Sequence, residues 1–359
     1  MEILLSILLF LIGAVIIWYS AEKFVQSAVA FSILAGISTF AIGVIFSGFE
    51  PENLSAGIAG ALKGLSGVAM GTVIGSAIFL ITIVLGATAF LYNFKISINK
   101  KYIWLTFVSV FPLLFSMLDG IISRADGIIL LALFMPTMIY IYLSSKKEIF
   151  ATSHEVKELL ETNFPPFIER WKIRCGKIKV KPKKCKTVKS VNGAFVKIPP
   201  FYERRNFYKK HSKWLYIFLL VASLIGMTIG AEILGKSAKN IISYFSMSNT
   251  LFGMVFVAFA VSFEEFGRTL VPAKMKHPEL AVGNVFGTVI NLFLLNIGII
   301  AIIKPVIVER IILALYFPFL IVSLMFAAIF ISRGKLGKTE GFVLIGLYLV
   351  FLILNFWLT

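Results

Sequence analysis

Residues 41–86 read AIGVIFSGFEPENLSAGIAGALKGLSGVAMGTVIGSAIFLITIVLG, and residues 253–298 read GMVFVAFAVSFEEFGRTLVPAKMKHPELAVGNVFGTVINLFLLNIG. The two stretches align without a gap at an offset of about 212 residues, and Glu52 falls on Glu264. The other matched pairs are Gly71 with Gly283, Gly75 with Gly287, Ser76 with Thr288, Ile78 with Ile290 and Gly86 with Gly298. A carboxylate near the middle of a bilayer costs several kcal/mol unless it is paired, protonated or bound to a cation. Because the chain carries this cost at equivalent places in two repeats, cation transport is the first hypothesis.

The composition is that of a helical membrane protein. Hydrophobic residues make up 58% of the chain and the mean hydropathy is +0.92, far above the values of soluble domains. Several apolar runs exceed the roughly 20 residues that a helix needs to cross a bilayer. The first run, residues 3–19, has neither a basic segment before it nor an evident cleavage site. We therefore expect it to be retained as the first membrane helix.

Hydropathy predicts ten membrane spans, five on each side of a long polar loop. They cover about residues 3–20, 34–60, 66–93, 102–119, 126–145, 214–234, 249–272, 280–303, 308–331 and 340–358. Because each half has an odd number of spans, the two repeats enter the membrane in opposite orientations, as in inverted-repeat transporters. The predicted fold is an all-α polytopic membrane protein. Its ten transmembrane helices form two inverted five-helix repeats, residues 1–145 and 214–359, which residues 146–213 connect.

The distribution of basic residues predicts the orientation in the cell membrane. With the N-terminus outside, about 28 of the 35 Lys and Arg residues fall on the cytoplasmic side and about 6 on the outside. Without the central loop the asymmetry falls to about 9 against 6, with the same sign. Both termini are therefore predicted to lie outside, and the central loop in the cytoplasm.

The central loop contains about 19 of the basic residues, which accounts for most of the net charge of +17. We expect either a solvated connector whose charge fixes the topology or a segment that contacts anionic lipid headgroups. Nucleic-acid binding is disfavoured, because the charge lies in one loop of a membrane protein. Cys175 and Cys185 also lie there without histidines at zinc spacing, which favours free cytosolic thiols over a redox sensor.

Small residues and a proline surround Glu52 in the second predicted span. Pro51 removes a backbone donor and clashes with the preceding turn, so we expect the span to be kinked or broken near residues 47–51. Carbonyls freed at membrane depth are tolerated where they line a cavity or bind an ion. The third predicted span of each half opens with glycines four residues apart, followed by a hydroxyl side chain, Ser76 or Thr288. The glycines permit close approach of two helices.

This pattern resembles the cation/Ca²⁺ antiporter superfamily, which includes the Na⁺/Ca²⁺ exchangers. Pro51-Glu52 resembles the Pro-Glu pair that members carry on a broken second helix, and each third span resembles their Gly-Asn-x-x-Gly-Ser-Asn motif. The resemblance implies ten helices in inverted repeats, an essential glutamate in each α-motif (about residues 41–86 and 253–298), and first helices that slide to open the site alternately to each side.

The chain also departs from the family pattern. The Thr and Ser that members place before the glutamate, and the polar residue four positions after the third-span serine, are replaced by Gly48, Phe49, Ala260, Val261, Leu80 and Leu292. Extra polar groups are Glu50, Asn53, Ser262, Glu265 and Asn291. Arg268 stands four residues after Glu264, within salt-bridge reach on a helix, and such a pair would reduce cation affinity there.

The candidate ligands are oxygen donors, which suit Ca²⁺, Mg²⁺, Na⁺ or Mn²⁺ better than soft metals. They are Glu52, Glu264, Ser76, Thr288, Asn284, Thr72, Asn53, Glu50 and Glu265. Protons are an alternative coupled species, because an apolar setting raises carboxyl pKa values. No resident cofactor is expected; the partners are inorganic cations and the lipid bilayer.

The predicted function is a secondary active antiporter that exchanges a divalent cation, Ca²⁺ first, for Na⁺ or H⁺. The alternatives are an exchanger-fold protein that moves Mg²⁺ or another cation or conducts passively, and an ion sensor that acts through its basic loop. An enzyme is disfavoured, since the chain has no His-Glu-x-x-His, nucleophile elbow or phosphate-binding glycine loop.

Overall fold

The computed structural model describes residues 2–47, 51–64, 66–96, 98–148, 186–189, 195–198, 213–244 and 263–358. The α-helices of the first half are α1 (Glu2–Ala35), α2 (Thr39–Ile42), α3 (Pro51–Leu62), α4 (Ser66–Phe79), α5 (Leu85–Leu91), α6 (Lys100–Met117) and α7 (Arg124–Glu148). Those of the second half are α8 (Lys213–Tyr244), α9 (Phe263–Lys274), α10 (Pro278–Ile290), α11 (Ile297–Ile303), α12 (Phe317–Ser332) and α13 (Lys338–Leu358).

Shorter elements connect or interrupt these helices. The π-helical segments are π1 (Gly43–Ser47), π2 (Leu80–Val84), π3 (Asn291–Asn296) and π4 (Ile312–Tyr316). The strands are β1 (Phe94–Lys95), β2 (Ile121–Ile122), β3 (Lys186–Lys189), β4 (Phe195–Ile198), β5 (Val306–Ile307) and β6 (Lys335–Leu336). The fold is therefore mostly helical, with short two-stranded ribbons that the sequence analysis did not predict.

The second half repeats the elements of the first half at the spacing found in the sequence. The ranges of α3 and α9, of α5 and α11, and of β1 and β5 differ by the same offset that relates Glu52 to Glu264. The π-helical segments π2 and π3 also overlap after this shift. Since a π-helical turn is rare outside functional positions, its recurrence points to a shared backbone plan.

Among the described residues, seven helical segments are long and apolar enough to cross a membrane. They are Leu4–Ser32, Ala69–Leu91, Arg124–Ser145, Trp214–Ser237, Pro278–Ile303, Ile312–Ser332 and Lys338–Trp357. They correspond to seven of the ten predicted spans. Predicted span 34–60 is divided between α2, π1 and α3, span 102–119 coincides with α6, and most of span 249–272 lies outside the described residues.

The first helix is longer than predicted. Hydropathy placed its end near residue 20, whereas α1 continues to Ala35 and ends before Gly36, whose φ is +68°. Polar residues in its second part lowered the local hydropathy, but Phe24 and Ala28 are fully buried in a cluster that includes Leu220 of α8. Tertiary packing therefore extends the helix beyond the apolar run.

The second predicted span departs from a regular α-helix in π1, next to the expected break. The segment π1 ends at Ser47, and α3 begins at Pro51. Proline is favoured at the first position of a helix, where its missing N–H has no intrahelical partner to lose. Gly48, Phe49 and Glu50 lie between these elements, outside the described residues.

Glycines mark the closest contacts between helices. A Cβ at Gly283 or Gly287 would lie 2.4 or 2.5 Å from backbone atoms of Phe40 or Val44, so α10 packs directly on α2 and π1. Around Gly71 and Gly75 no described atom lies within 4 Å of the Cβ position. The residues equivalent to Phe40 and Val44, at positions 252 and 256, lie outside the described part of the chain.

Two short ribbons tie loops from opposite halves together. Strand β1 pairs antiparallel with β6, and β2 pairs antiparallel with β5. Next to the second ribbon, Lys304 donates a hydrogen bond to the Leu62 carbonyl at 3.2 Å, and the Ile307 amide donates to Ser66 Oγ at 3.4 Å. The loops after α3 and α6 and the loop after α11 therefore lie at one end of the helix assembly.

In the central loop the structure describes one element, the antiparallel pair β3–β4, in which Val188 pairs with Val196. This short hairpin replaces part of what the sequence analysis treated as a connector. The predicted short helix at residues 154–161, Cys175 and Cys185 lie outside the described residues.

Candidate cation-binding site

The candidate site residues lie on two equivalent helix pairs. Helix α3 packs beside α4 in the first half, and α9 packs beside α10 in the second half. Glu52 is the second residue of α3, and Glu264 is the second residue of α9. Both glutamates therefore stand at equivalent positions, near the N-terminal ends of α3 and α9 as the structure describes them.

A buried arginine lies between two carboxylates of α9. The Arg268 guanidinium donates Nη2 to Glu264 Oε1 and approaches Glu265 Oε1 with Nη1 at 3.4 Å. The exposed fraction of these side chains is 2% for Arg268, 5% for Glu264 and 15% for Glu265. A buried pair requires this proximity, because an isolated charge at this depth would be strongly destabilising. The pairing of Arg268 with Glu264 that the sequence suggested is present.

Neutral donors from neighbouring helices complete this network. Thr228 Oγ1 of α8 donates to Glu264 Oε1 at 3.4 Å, and Asn284 Nδ2 of α10 lies 3.3 Å from Glu265 Oε2. The same amide nitrogen lies 3.1 Å from Thr269 Oγ1. The predicted ligands Glu264, Glu265 and Asn284 are therefore close together, and α8 reaches the same cluster.

Two oxygen atoms on α10 have no hydrogen-bond partner among the described residues. They are Asn284 Oδ1 and Thr288 Oγ1, and the two residues are 0% and 1% exposed. At a spacing of four residues they lie on the same face of α10, one turn apart. Buried acceptors without a partner are rare in native structures and are often explained by a bound water or ion. Thr288 thus has the property expected of a ligand.

In the first half, Ser76 Oγ of α4 donates to Asn53 Oδ1 of α3 at 3.0 Å. These two predicted ligands are therefore brought together. Thr72 lies on α4 one turn before Ser76, and Glu52 precedes Asn53. The side chains of Glu52 and Thr72 are outside the described part of the structure, and so is the whole of Glu50.

The two halves contact each other around these helix pairs. The Phe79 ring of α4 and the Phe266 ring of α9 meet edge to face with centroids 6.2 Å apart. A Cβ at Gly57 of α3 would lie 2.4 Å from Ile300 Cδ1 of α11. Since Lys304 also reaches the end of α3, α3 and α11 run alongside each other in the same direction.

Asn296 is a buried polar residue that the sequence analysis did not select. It is 0% exposed, and neither Oδ1 nor Nδ2 has a hydrogen-bond partner among the described residues. It ends π3 one turn before Ile300, on the side of α11 that meets α3. The signal available in the sequence was an asparagine inside an apolar run, where the first half has Val84. By contrast Asn291, an extra polar group noted in the sequence, donates to the Gly287 carbonyl of its own helix at 2.8 Å.

The turn between α9 and α10 contains a buried histidine. His277 is 7% exposed, its amide donates to the Pro272 carbonyl at 2.8 Å, and Pro278 follows it at the start of α10. Burial disfavours the charged ring and lowers the pKa of His277 to about 4. The imidazole is therefore neutral at physiological pH.

The chemistry of the cluster is that of oxygen donors in a low-dielectric setting. The described ranges contain no group of three or more His, Cys, Asp or Glu side chains that could hold a metal ion by themselves. Carboxylates, amides and hydroxyls from several helices are the ligands that hard cations prefer. Buried ionisable groups between membrane helices are typical of ion pathways. Fold and site together define a multi-pass membrane protein of the ion-transporting class.

Comparison with known sequences identifies the family. The profile of the sodium/calcium exchanger protein family matches residues 5–143 and 215–357. The chain is 25% identical to the sodium/calcium exchanger MaX1 of Methanosarcina acetivorans over 373 residues, which cover 99% of this chain and all of the relative. It is also 25% identical to the inner membrane protein YrbG of Escherichia coli over 366 residues, 99% of this chain and 98% of the relative. The chain belongs to the sodium/calcium exchanger family, which confirms the resemblance found in its motifs.

Solved structures agree with this assignment at the level of the fold. The sodium-calcium exchanger NCX_Mj, soaked with Na⁺ and Sr²⁺, superposes with a TM-score of 0.69 at 22% identity, covering 97% of this chain and 98% of that one. The same exchanger soaked without Na⁺ and Ca²⁺ also gives a TM-score of 0.69, at 21% identity. The fold and the family are those of membrane cation antiporters.

Proposed function

We propose that the chain is a secondary active antiporter that exchanges a divalent cation, with Ca²⁺ as the first candidate, for Na⁺ or H⁺ by alternating access. The observation that carries the proposal is a buried cluster of oxygen-bearing side chains on α9 and α10. Glu264 and Glu265 are neighbours on α9, Asn284 and Thr288 are one turn apart on α10, and Asn284 contacts Glu265. The names of relatives such as MaX1 support Ca²⁺ and Na⁺ as the first ions to test.

The proposed site lies between the two halves. Its ligands from the first half are Glu52, Asn53, Thr72, Ser76 and Glu50, and those from the second half are Glu264, Glu265, Asn284 and Thr288. Asn296 is added because it is fully buried with no hydrogen-bond partner in the described ranges and precedes Ile300, which packs on α3. Carboxylates that share one small site repel each other unless a divalent cation or protons neutralise them. The two transported ions therefore compete for the same oxygens.

The proposed architecture has ten membrane spans in two inverted repeats, residues 1–145 and 214–359, with both termini outside. The ribbons support this arrangement, because each joins two loops that the charge distribution assigns to the same side. The β1–β6 ribbon joins loops assigned to the cytoplasm, and the β2–β5 ribbon joins loops assigned to the outside. Residues 146–213 form the proposed cytoplasmic loop, whose basic residues contact anionic lipid headgroups.

The proposed gating element is the pair of first helices. Helices α1 and α8 pack closely where Gly13 meets Gly230, since a Cβ at Gly13 would lie 2.8 Å from the Gly230 carbonyl oxygen. Because this close contact holds α1 and α8 together, the two helices can slide as a unit against the other helices. This movement opens the site alternately to each side. A disulfide cross-link from α1 to one of the other helices outside the α1–α8 pair should stop exchange while ion binding persists. Unchanged flux in a fully cross-linked sample would refute the sliding of α1 and α8.

The function is tested by flux in proteoliposomes. Purified protein is reconstituted, and uptake of Ca²⁺, Mg²⁺ and Mn²⁺ is measured with outward Na⁺ or H⁺ gradients. We expect uptake of at least one divalent cation that requires the opposing gradient and collapses when the gradient is dissipated. Divalent flux without any requirement for an opposing ion would indicate passive conduction instead.

A non-transporting ion sensor is the second candidate, and one observation favours it. Arg268 already supplies a positive charge to Glu264 and Glu265, as a bound cation would. A sensor would bind divalent cations without flux in the same liposomes and would signal through the basic loop.

A further inference from the structure

We propose that Arg268 is a built-in cation of the transport site, which replaces one transported monovalent ion and sets the number of such ions exchanged for each divalent cation. The proposal rests on the proposed function of this site. It assigns to one side chain a positive charge that a transported ion would otherwise have to supply.

Arg268 contacts two carboxylates in the way that a bound cation would. Its guanidinium contacts one carboxylate oxygen from each of Glu264 and Glu265, and only 2% of its side chain is exposed. All three residues belong to α9, at spacings of three and four residues, so the arginine is tethered beside its partners. A guanidinium does not deprotonate in proteins, so its charge is permanent.

Comparison of the two halves shows what this charge offsets. The first half has Glu52-Asn53 followed by Ala56 where the second half has Glu264-Glu265 followed by Arg268. Within residues 52–56 and 264–268, the second half therefore carries one additional carboxylate and one additional guanidinium. Each helix start keeps the same formal charge of one negative unit, which suits a site shared by the two halves.

The number of exchanged ions follows from neutrality. In a low-dielectric site, loaded states close to neutral are strongly favoured over charged ones. With Arg268 in place, the monovalent ions must balance one charge fewer than the carboxylates alone would require. Without that charge, one more monovalent cation is needed to load the site. Glu50 lies outside the described residues and contributes equally with or without Arg268, so this difference does not depend on it.

The experiment measures the coupling ratio, which a purely structural ion pair would not change. Full-length protein is reconstituted in liposomes whose membrane potential is clamped with K⁺ and valinomycin. Net Ca²⁺ flux is followed while the Na⁺ gradient, or the H⁺ gradient if that drives uptake, is varied to find the point of zero flux. The dependence of this point on the gradient gives the number of monovalent ions exchanged per Ca²⁺.

Four variants are compared with the wild-type protein. Arg268→Gln should raise the coupling ratio by one, and Arg268→Lys, which keeps the charge, should leave it unchanged. Glu264→Gln combined with Arg268→Met removes one negative and one positive charge and should also leave it unchanged. Arg310→Gln, which alters an exposed arginine two residues before π4, is the matched control and should match the wild-type ratio.

An unchanged ratio in Arg268→Gln overturns the proposal. If Arg268→Gln is inactive, the double variant Glu264→Gln with Arg268→Met decides. A coupling ratio one lower than that of the wild-type protein would mean that the charge of Arg268 does not contribute to the charge that the transported ions balance. Absence of any coupled exchange by the wild-type protein would overturn the proposed function itself and the Arg268 proposal with it. An unchanged ratio in an active Arg268→Gln would leave the antiporter intact.

Discussion

The helix pair α3–α4 and the helix pair α9–α10 share one backbone plan but carry different polar groups. In the first half a neutral hydrogen bond, Ser76 to Asn53, links the two helices. In the second half Glu265, the counterpart of Asn53, instead accepts from Asn284, the counterpart of Thr72, and Arg268 is added beside it. The comparison teaches that the two half-sites diverged in chemistry, although residues 52–56 and residues 264–268 keep the same formal charge of one negative unit.

The same divergence occurs at the turns. The turn between α3 and α4 and the turn between α9 and α10 each contain a residue in the left-handed region of φ. These residues are Gly64, with a φ of +76°, and Lys276, with a φ of 63°. A lysine adopts this conformation less readily than glycine, so the second half holds the shape through surrounding contacts, among them the buried His277. Backbone geometry is therefore kept where the side chains no longer favour it.

The largest expected effect comes from the first half, which has no internal cation at the position of Arg268. Glu52→Gln should slow exchange by more than about 100-fold, because a neutral amide in place of a carboxylate that binds the transported cation costs about 3 kcal/mol or more. Initial Ca²⁺ uptake at matched protein incorporation checks this. Glu232→Gln is the control, since Glu232 is 63% exposed and pairs with Lys236 on the surface of α8. Near-normal exchange by Glu52→Gln would end the shared-site mechanism.

The next effect concerns stability and belongs to the second half alone. Arg268→Met should destabilise the protein by about 3–5 kcal/mol, because it leaves buried carboxylates without their cation. Addition of Glu264→Gln should recover most of this loss. Thermal unfolding in detergent measures both variants, and the reading of Arg268 as a buried partner fails if the single variant melts like wild type.

A smaller effect on stability is expected from His277, whose counterpart in the first half is a leucine. Because burial lowers the pKa of His277 from 6.5 to about 4, the unfolded chain binds a proton more readily than the folded protein between these pH values. The folded protein therefore keeps its full stability with respect to His277 above pH 6.5. About 3 kcal/mol of its free energy of unfolding should be lost as pH falls toward 4. Melting curves of wild type and His277→Gln from pH 7.5 to 4.5 provide the test. Parallel pH dependence in both proteins would contradict the burial argument.

The smallest effect is expected at Asn296, where the first half has valine. Asn296→Val should weaken divalent binding about tenfold, the equivalent of one hydrogen bond to a charged group. It should not lower stability, because it removes buried polar atoms that lack partners in the described ranges. The half-saturating Ca²⁺ concentration and the melting temperature are measured together. Reduced stability with unchanged Ca²⁺ dependence would assign Asn296 a structural role.

Particular residues show how far the sequence predicts this molecule. The repeat around Glu52 and Glu264 and the membrane class follow from local patterns, and the structure and the family agree with them. The break before Pro51 stays a prediction, because residues 48–50 lie outside the described residues. The extension of α1 to Ala35 was missed, because it depends on packing against α8 rather than on hydropathy.

The site was predictable in its residue types but not in its contacts. The spacing of Glu264 and Arg268 predicts their ion pair on a helix, whereas the approach of Arg268 to Glu265 and of Thr228 to Glu264 requires the arrangement of three helices. Asn296 is an asparagine inside an apolar run, but its burial without a partner among the described residues is visible only in three dimensions.

The most direct test of the equal formal charge of residues 52–56 and 264–268 is rescue of Glu264→Gln by Arg268→Met. The single variant leaves Arg268 facing only Glu265 and makes the second half-site neutral, so Ca²⁺ exchange should fall about 100-fold. The double variant restores one negative charge, and exchange in proteoliposomes should recover at least about tenfold over the single variant. A double variant no more active than Glu264→Gln, at equal incorporation and equal melting temperature, would contradict the account.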